Sequence, residues 1–85
     1  VFFAHTVAHD ALPQEKLTDE VTAFLRMRAT KQGVVRKADI ELAIALVRRR
    51  AETSLSRAEA DRLVREMMLR ENLRPRRLTD MLLGG

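Results

Sequence analysis

The chain has 85 residues, no cysteine and a formal net charge of +4. Its length fits one domain with a thin core, and without cysteine neither a disulfide framework nor a thiolate zinc site can reinforce that core. No apolar stretch approaches the roughly 18 residues that cross a membrane, and residues 1–4 are too short for the apolar part of a signal peptide. We therefore expect a cytoplasmic protein that binds no membrane.

Residues 1–12 are expected to form a poorly ordered or loosely packed segment ahead of a helical domain at 13–85. This segment holds both histidines, His5 and His9, four residues apart. The zinc-protease pattern needs a glutamate directly after the first histidine, where Thr6 stands, so we predict no metal site. No serine or threonine of the domain has a histidine partner, and no glycine-rich phosphate loop occurs. We expect no enzymatic activity and no cofactor.

Apolar spacing predicts the first two helices. The first is predicted to begin near Pro13, a residue favoured in the first helical turn, and to end at Gly33. Its apolar stripe consists of Leu17, Val21, Phe24 and Leu25. The second is predicted at about 37–52, with one face made of Ile40, Ala43, Ile44 and Val47 and further apolar surface from Ala38, Leu42, Ala45 and Leu46. A helix that is apolar on most sides packs between neighbours or across a dimer interface.

The third helix has the clearest start signal, a capping box from Ser56 to Glu59. Its apolar face consists of Ala60, Leu63, Val64, Met67 and Met68, and one of the two adjacent methionines is expected to be partly exposed. Pro75 then breaks the pattern. A short fourth helix follows, with Leu78, Met81 and Leu82 inward. Since no alternating β-branched run predicts a strand, the expected fold is all-α, a small three-to-four-helix bundle.

The C-terminal half is rich in arginine. Residues 48–77 hold ten arginines, five acidic residues and no lysine, and the arginine fork pairs with phosphate through two parallel hydrogen bonds. The candidate nucleic-acid-binding residues are Arg48, Arg49, Arg50, Arg65, Arg70, Arg74, Arg76 and Arg77. If the bundle brought the clusters at 48–50 and 74–77 onto one face, they would form a phosphate-binding footprint. All three phenylalanines lie in the N-terminal third, which favours recognition of a hairpin or duplex over stacking of splayed bases.

Five short motifs follow one another from Ile40 to the C terminus. They are Ile40-Glu41-Leu42-Ala43, Arg48-Arg49-Arg50, Ser56-Arg57-Ala58-Glu59-Ala60, Leu63-Val64-Arg65-Glu66-Met67-Met68 and Leu78-Thr79-Asp80-Met81-Leu82-Leu83. In order and spacing this half of the chain resembles the ANTAR domain, the RNA-binding module of bacterial transcription antiterminators. The resemblance implies a three-helix domain that binds paired hairpins in nascent mRNA, so that a terminator does not form. It also implies a dimer formed through residues 14–32, and RNA contacts from Arg48, Arg49, Arg50, Arg65, Arg70, Arg76 and Arg77.

Other interpretations stay open. The arginines could be solvated surface charges, and their expected i,i+4 partners are Glu52, Glu59, Asp61 and Glu66. The chain would then be a protein-interaction or dimerisation domain that uses the apolar surface of the helix at 37–52, with no nucleic-acid binding. DNA binding through a helix-turn-helix at 57–71 and 76–83 is a further alternative. Residues 37–43 also resemble the last helix of histone-fold proteins, although that fold ends there and this chain continues.

Overall fold

The computed structural model of this protein describes residues 12–82, with the backbone alone at 81 and 82. Its elements are α1 Gln14–Arg28, β1 Val34–Val35, α2 Lys37–Arg50, α3 Arg57–Arg70, β2 Arg74–Pro75 and α4 Leu78–Leu82. The domain is small and mostly helical, as predicted, but the pair of strands means that it is not all-α. The N-terminal segment that was expected to be loosely packed lies outside the described residues, except for Leu12.

The hydrophobic core lies between α1, α2 and α3, which pack against one another in all three pairs. The buried core residues are Leu17, Val21, Leu25, Val35, Ile40, Ala43, Ile44, Val47, Ala60, Val64, Met67 and Met68. Burial of apolar surface contributes about 25 cal/mol per Å² and is the dominant favourable term in folding. The amphipathic spacing of the three helices therefore determines how they assemble.

α1 begins one residue after Pro13, whose fixed φ suits the entry to a helix. Its predicted stripe faces the core, and of the four residues only Phe24 is partly rather than fully buried. The helix ends at Arg28, so the prediction that it ends at Gly33 is wrong. Thr30 turns the chain toward β1 instead, because its N–H donates to the carbonyl of Val34 at 2.9 Å and its Oγ1 accepts the Val34 N–H at 3.1 Å.

α2 packs between α1 and α3, and the face predicted to be apolar is buried. Its opposite side is only partly covered. Leu42 is 53% exposed, and Ala38 and Ala45 are also exposed. These three residues are spaced at i, i+4 and i+7, so they form a stripe on the side of α2 away from the core.

The capping box predicted at the start of α3 is confirmed. The Glu59 N–H donates to Ser56 Oγ at 3.1 Å, and the Glu59 carboxylate accepts the Ser56 N–H at 2.8 Å. The expectation that one of two adjacent methionines would be partly exposed is wrong, because Met67 and Met68 are 5% and 2% exposed. Since α3 contacts α1 and α2 at the same time, neighbours cover a wide arc of its surface.

β1 and β2 pair in parallel, with Val34 opposite Arg74 and Val35 opposite Pro75. The sequence predicted no strand, because two residues are too few to show an alternating pattern. The Arg74 N–H donates to the carbonyl of Gly33 at 2.8 Å, and the Arg76 N–H donates to that of Val35 at 2.9 Å. Pro75, which has no N–H, occupies the position between these two donors, so it costs the ladder no hydrogen bond.

α4 follows β2 as α2 follows β1, so the order helix–strand–helix occurs twice in the chain. The prediction that Leu78 points inward is wrong, since it is 70% exposed. The first turn of α4 is held by polar contacts of Asp80 with Arg74 and Arg77, and these contacts do not require Leu78 to be buried. The side chains of Met81 and Leu82, also predicted to face inward, lie outside the description.

Candidate nucleic-acid interface

The strand pair brings two basic segments of the chain side by side. Residues 31–39 contain β1 and the start of α2, and residues 74–80 contain β2 and the start of α4. We call the surface formed by these two segments the strand-pair end. Main-chain hydrogen bonds between the strands fix this arrangement, so the position of the two segments does not depend on the conformation of their side chains.

The strand-pair end carries the whole of the chain's excess positive charge. Its cations are Lys31, Arg36, Lys37, Arg74, Arg76 and Arg77, and its acidic residues are Asp39 and Asp80. Six cations against two carboxylates leave a surplus of four, which equals the net charge of +4 for all 85 residues. The cations and acids of the remaining sequence are therefore balanced, ten against ten. Such an uneven distribution steers polyanions toward one end of a protein.

A cavity of about 450 Å³ opens at the strand-pair end. The residues that line it are Thr30, Gln32, Val34, Arg36, Arg74, Arg76 and Asp80. Small-molecule sites usually have volumes of about 300–1,000 Å³, so the cavity has room for a ligand the size of a nucleotide. Three guanidinium groups and one carboxylate among the lining residues give it a positive character.

Asp80 and Arg74 form a two-pronged ion pair at this cavity. Arg74 Nη1 donates to Asp80 Oδ2 at 2.7 Å, and Nη2 donates to Oδ1 at 2.6 Å. The main-chain N–H of Arg77 also donates to Asp80 Oδ2, at 2.7 Å. The bonds from the Arg74 side chain and, to a smaller extent, the bond from the Arg77 N–H hold the pKa of the Asp80 carboxyl well below its ordinary value. Asp80 in turn raises the pKa of Arg74. The pair therefore stays ionised and keeps the Arg74 guanidinium in a fixed position.

Asp39 is a buried carboxylate beneath this surface, only 2% exposed. Arg36 Nε donates to its Oδ2 at 3.2 Å, and Arg28 Nη1 lies 3.8 Å from its Oδ1. Nη1 and Nη2 of Arg36 have no hydrogen-bond partner among residues 12–82, and the side chain is 59% exposed. The guanidinium of Arg36 is thus anchored through Nε while its two Nη groups remain available to an anion.

The arginine cluster at 48–50 lies at the opposite end of α2. Because β1 directly precedes α2, about 20 Å of helix, at 1.5 Å per residue, separate this cluster from the strand-pair end. Arg48 Nε donates to the carbonyl of Leu55 at 3.2 Å, and Arg50 Nη1 donates to Glu20 at 2.7 Å. The structure therefore does not bring the two predicted arginine clusters together, and part of the first cluster serves contacts within the domain.

The two predicted contact residues on α3, Arg65 and Arg70, are exposed. Arg65 pairs with Asp61 at 3.1 Å, which is the predicted i,i+4 arrangement. Of the other acidic residues predicted to pair in this way, Glu59 belongs to the capping box. Within the described part of the chain, α3 therefore offers its arginines as scattered exposed charges rather than as a cluster.

Sequence reasoning missed the ion pairs between different elements. They are Arg26 with Glu71, Arg28 with Asp39, Arg50 with Glu20, Arg57 with Glu41 and Arg74 with Asp80. Nothing in the sequence marks these partners, which are 6 to 45 residues apart. A repeated signal for the strand-pair end does exist, since an arginine precedes an aspartate by three residues at both helix starts, Arg36 before Asp39 and Arg77 before Asp80.

The part of the chain that the structure describes contains no group of three or more histidines, aspartates or glutamates that could hold a metal ion. His5 and His9 lie outside it. None of the helices within residues 12–82 is long and apolar enough to span a membrane. Comparison of the chain with protein-family models, curated proteins and solved structures found no match. The family resemblance of the sequence therefore stays a prediction.

Proposed function

We propose that this chain is a small helical domain that binds nucleic acid through its phosphates, RNA hairpins in preference to duplex DNA, with the strand-pair end as the contact surface. The observation that carries the proposal is the charge distribution. The entire surplus of four positive charges lies on residues 31–39 and 74–80, which the strand pair holds together. Neutralising phosphates with such a surface releases counterions, which is the main source of sequence-independent affinity for nucleic acids.

Phe24, the aromatic residue within residues 12–82, supports binding by shape and charge rather than by base stacking. Phe24 is partly buried against the core, and the guanidinium of Arg28 lies 5.4 Å from its ring centroid. Its ring is therefore already in use as a packing surface. Proteins that bind unpaired bases usually stack them on exposed aromatic rings, so a paired stem is the better ligand for this domain.

Regulation of transcription by antitermination is the biological setting that the family resemblance implies. In that setting the strand-pair end would hold a hairpin of nascent mRNA, and a dimer would hold two. Two linked sites raise the effective concentration of the second hairpin. This setting depends on the resemblance alone, whereas the phosphate contacts depend on the charge distribution.

Fluorescence anisotropy of the chain against a labelled RNA hairpin and a DNA duplex of equal length, over a series of salt concentrations, tests the proposal. We expect binding to the hairpin that weakens steeply as salt is added, because each phosphate contact contributes a slope of roughly −0.7 to −0.9 in the logarithm of affinity against the logarithm of salt. The absence of binding to either probe at low salt would refute the proposal.

Two matched triple variants test which surface of the domain binds the nucleic acid. The first, Lys31→Gln/Lys37→Gln/Arg77→Gln, removes three exposed cations of the strand-pair end, and the second, Arg49→Gln/Arg62→Gln/Arg70→Gln, removes three exposed cations elsewhere. None of these six cations forms an ion pair within residues 12–82. We expect a large loss of affinity and a shallower salt slope for the first variant only. A larger loss for the second would place the contacts on α2 and α3 instead.

Self-association is a second candidate function, and exposed apolar residues favour it. Met27, Leu69 and Leu78 are 78%, 75% and 70% exposed, and each lies at the end of a helix that adjoins the strand pair. Light scattering over a range of concentrations tests this candidate. A monomer at all concentrations, with nucleic acid present or absent, would rule it out.

A further inference from the structure

We propose that the cavity at the strand-pair end binds a dianionic phosphate monoester, the group carried by the end of a nucleic-acid strand or by a free mononucleotide. This inference rests on the proposed function, because it names the part of a nucleic acid that the same surface recognises. The lining residues that carry it are Arg36, Arg74, Arg76, Thr30, Gln32 and Asp80.

The residues that line the cavity carry several hydrogen-bond donors. Arg36 offers Nη1 and Nη2, which are unused by residues 12–82, while its Nε is anchored on buried Asp39. The Thr30 hydroxyl accepts the Val34 N–H, so its own proton can be donated to a ligand. The amide of Gln32 supplies two more N–H groups. A phosphate oxygen that entered here would meet donors from residues before and after β1.

Asp80 determines which donors of Arg74 remain for a ligand. Its carboxylate occupies both Nη groups of Arg74 through bonds of 2.7 Å and 2.6 Å. Arg74 therefore contributes a fixed positive charge to the cavity, whereas Arg36 contributes a free fork. A site with one free fork matches a single phosphate group better than it matches a run of phosphates, since each fork pairs with one phosphate.

Charge and shape favour a terminal phosphate over a phosphodiester. Three guanidinium groups against one carboxylate leave a surplus of two among the lining residues. A phosphate monoester carries about −1.5 to −2 charges at pH 7, whereas each diester of a strand carries one. A diester also continues as a chain on both sides and suits an open groove, while a terminal phosphate can enter a concave site of about 450 Å³.

The test compares RNA hairpins that differ only at their ends. Each has short single-stranded overhangs, and the ends carry a 5′-phosphate, a 3′-phosphate or hydroxyl groups alone; adenosine monophosphate serves as the free nucleotide. We expect roughly tenfold tighter binding for one of the phosphorylated hairpins, because hydrogen bonds to a charged group are about twice as strong as neutral ones. Adenosine monophosphate should compete with the phosphorylated hairpin for the cavity and so reduce its advantage in affinity.

The outcomes separate the inference from the proposed function. Equal, salt-dependent affinity for all three hairpins overturns the inference and leaves nucleic-acid binding intact. Binding of adenosine monophosphate without binding of any hairpin supports the inference and overturns the proposed function. No binding of any probe overturns both. If adenosine monophosphate binds as tightly as the preferred hairpin, the source of the phosphate is a free nucleotide rather than a strand end.

A conservative variant tests whether Arg36 binds the phosphate. Arg36→Lys keeps a cation beside Asp39 but removes the bidentate fork, so the fold should persist while the preference for the phosphorylated end is lost. Arg49→Lys, an exposed arginine at the far end of α2, is the matched control and should keep the preference. Circular dichroism checks that both variants are folded. A preference that survives Arg36→Lys in a folded protein would overturn the assignment.

Discussion

A residue in the left-handed backbone conformation lies shortly before each of the two strands. Gly33 has a φ of +81° and Asn72 a φ of +59°. Asn72 closes α3, because its N–H donates to the carbonyl of Leu69 at 3.2 Å and the Leu73 N–H donates to that of Met68 at 2.8 Å. This arrangement is a Schellman motif, in which glycine or asparagine is preferred. Gly33, in contrast, lies where the strands meet.

Gly33→Ala should destabilise the domain substantially. A Cβ at this position would lie 2.8 Å from the carbonyl oxygen of Asn72, and the left-handed conformation alone costs a non-glycine residue roughly 1–2 kcal/mol. Moving Asn72 away would strain the hydrogen bond from the Arg74 N–H to the Gly33 carbonyl. Urea unfolding measures the loss.

Asn72→Gly is the control for this prediction. Glycine accepts a positive φ without strain, so the free energy of unfolding should change by less than about 1 kcal/mol. If Gly33→Ala were as mild as Asn72→Gly, the close approach of the two turns would not matter to stability.

Ser56→Ala should cost about 1 kcal/mol, the usual loss for an N-cap. The bonds of Glu59 with the Ser56 N–H and, second, with the Ser56 side chain keep the pKa of the Glu59 carboxyl below its ordinary value. The substitution removes only the side-chain bond, so we expect the pKa of Glu59 to rise part of the way back. A carboxyl titration followed by NMR measures the shift, and an unchanged pKa would show that the hydroxyl does not interact with the Glu59 carboxylate.

At the scale of elements, the ion pair of Arg74 with Asp80 fixes the start of α4 beside β2. The pKa of Asp80 is lower in the folded protein than its ordinary value of about 3.9. A carboxyl of this kind contributes stability that is fully present above its unfolded pKa and is lost as the pH falls toward its folded pKa.

Comparison of the wild type with Asp80→Asn isolates this contribution. The difference in unfolding free energy should be constant at about pH 5–7 and should shrink below about pH 4, where the wild-type carboxyl begins to bind a proton in the unfolded chain. Urea unfolding at several pH values gives the two curves. Parallel curves down to pH 3 would mean that the ion pair does not stabilise α4.

The sequence predicted the helices well and the strands not at all, and the reason lies in the length of each element. α3 contains fourteen residues, enough for a capping signal and several turns of apolar spacing. β1 contains two residues, and its partner lies 40 positions away. The sequence does not predict the pairing of Val34-Val35, because no local pattern shows that a distant Arg74-Pro75 pair will bond to it.

At the scale of the molecule, the candidate site could be predicted only in part. Composition predicted a basic surface in the arginine-rich half, and the cluster at 74–77 belongs to the strand-pair end. Lys31, Arg36 and Lys37 were not singled out, because they stand among acidic and apolar residues in the sequence and join the basic surface only through strand pairing. Conversely, Arg50 is used in an ion pair with Glu20 of another helix, which spacing along the chain could not reveal.

This separation of charge predicts that salt affects stability and binding in opposite ways. The ion pairs between helices are largely exposed, such as Arg57 with Glu41 at 59% and 40% exposure, and exposed pairs contribute only about 0–1 kcal/mol each. The six cations of the strand-pair end repel one another, and added salt screens this repulsion within a Debye length of about 10 Å at 0.1 M. We expect thermal stability to stay level or rise slightly as salt is added, while affinity for the RNA hairpin falls steeply. Thermal unfolding and anisotropy in the same buffers measure both. If stability and affinity fell together, unfolding rather than counterion release would explain the loss of binding, and the strand-pair end would lose its role as a phosphate surface.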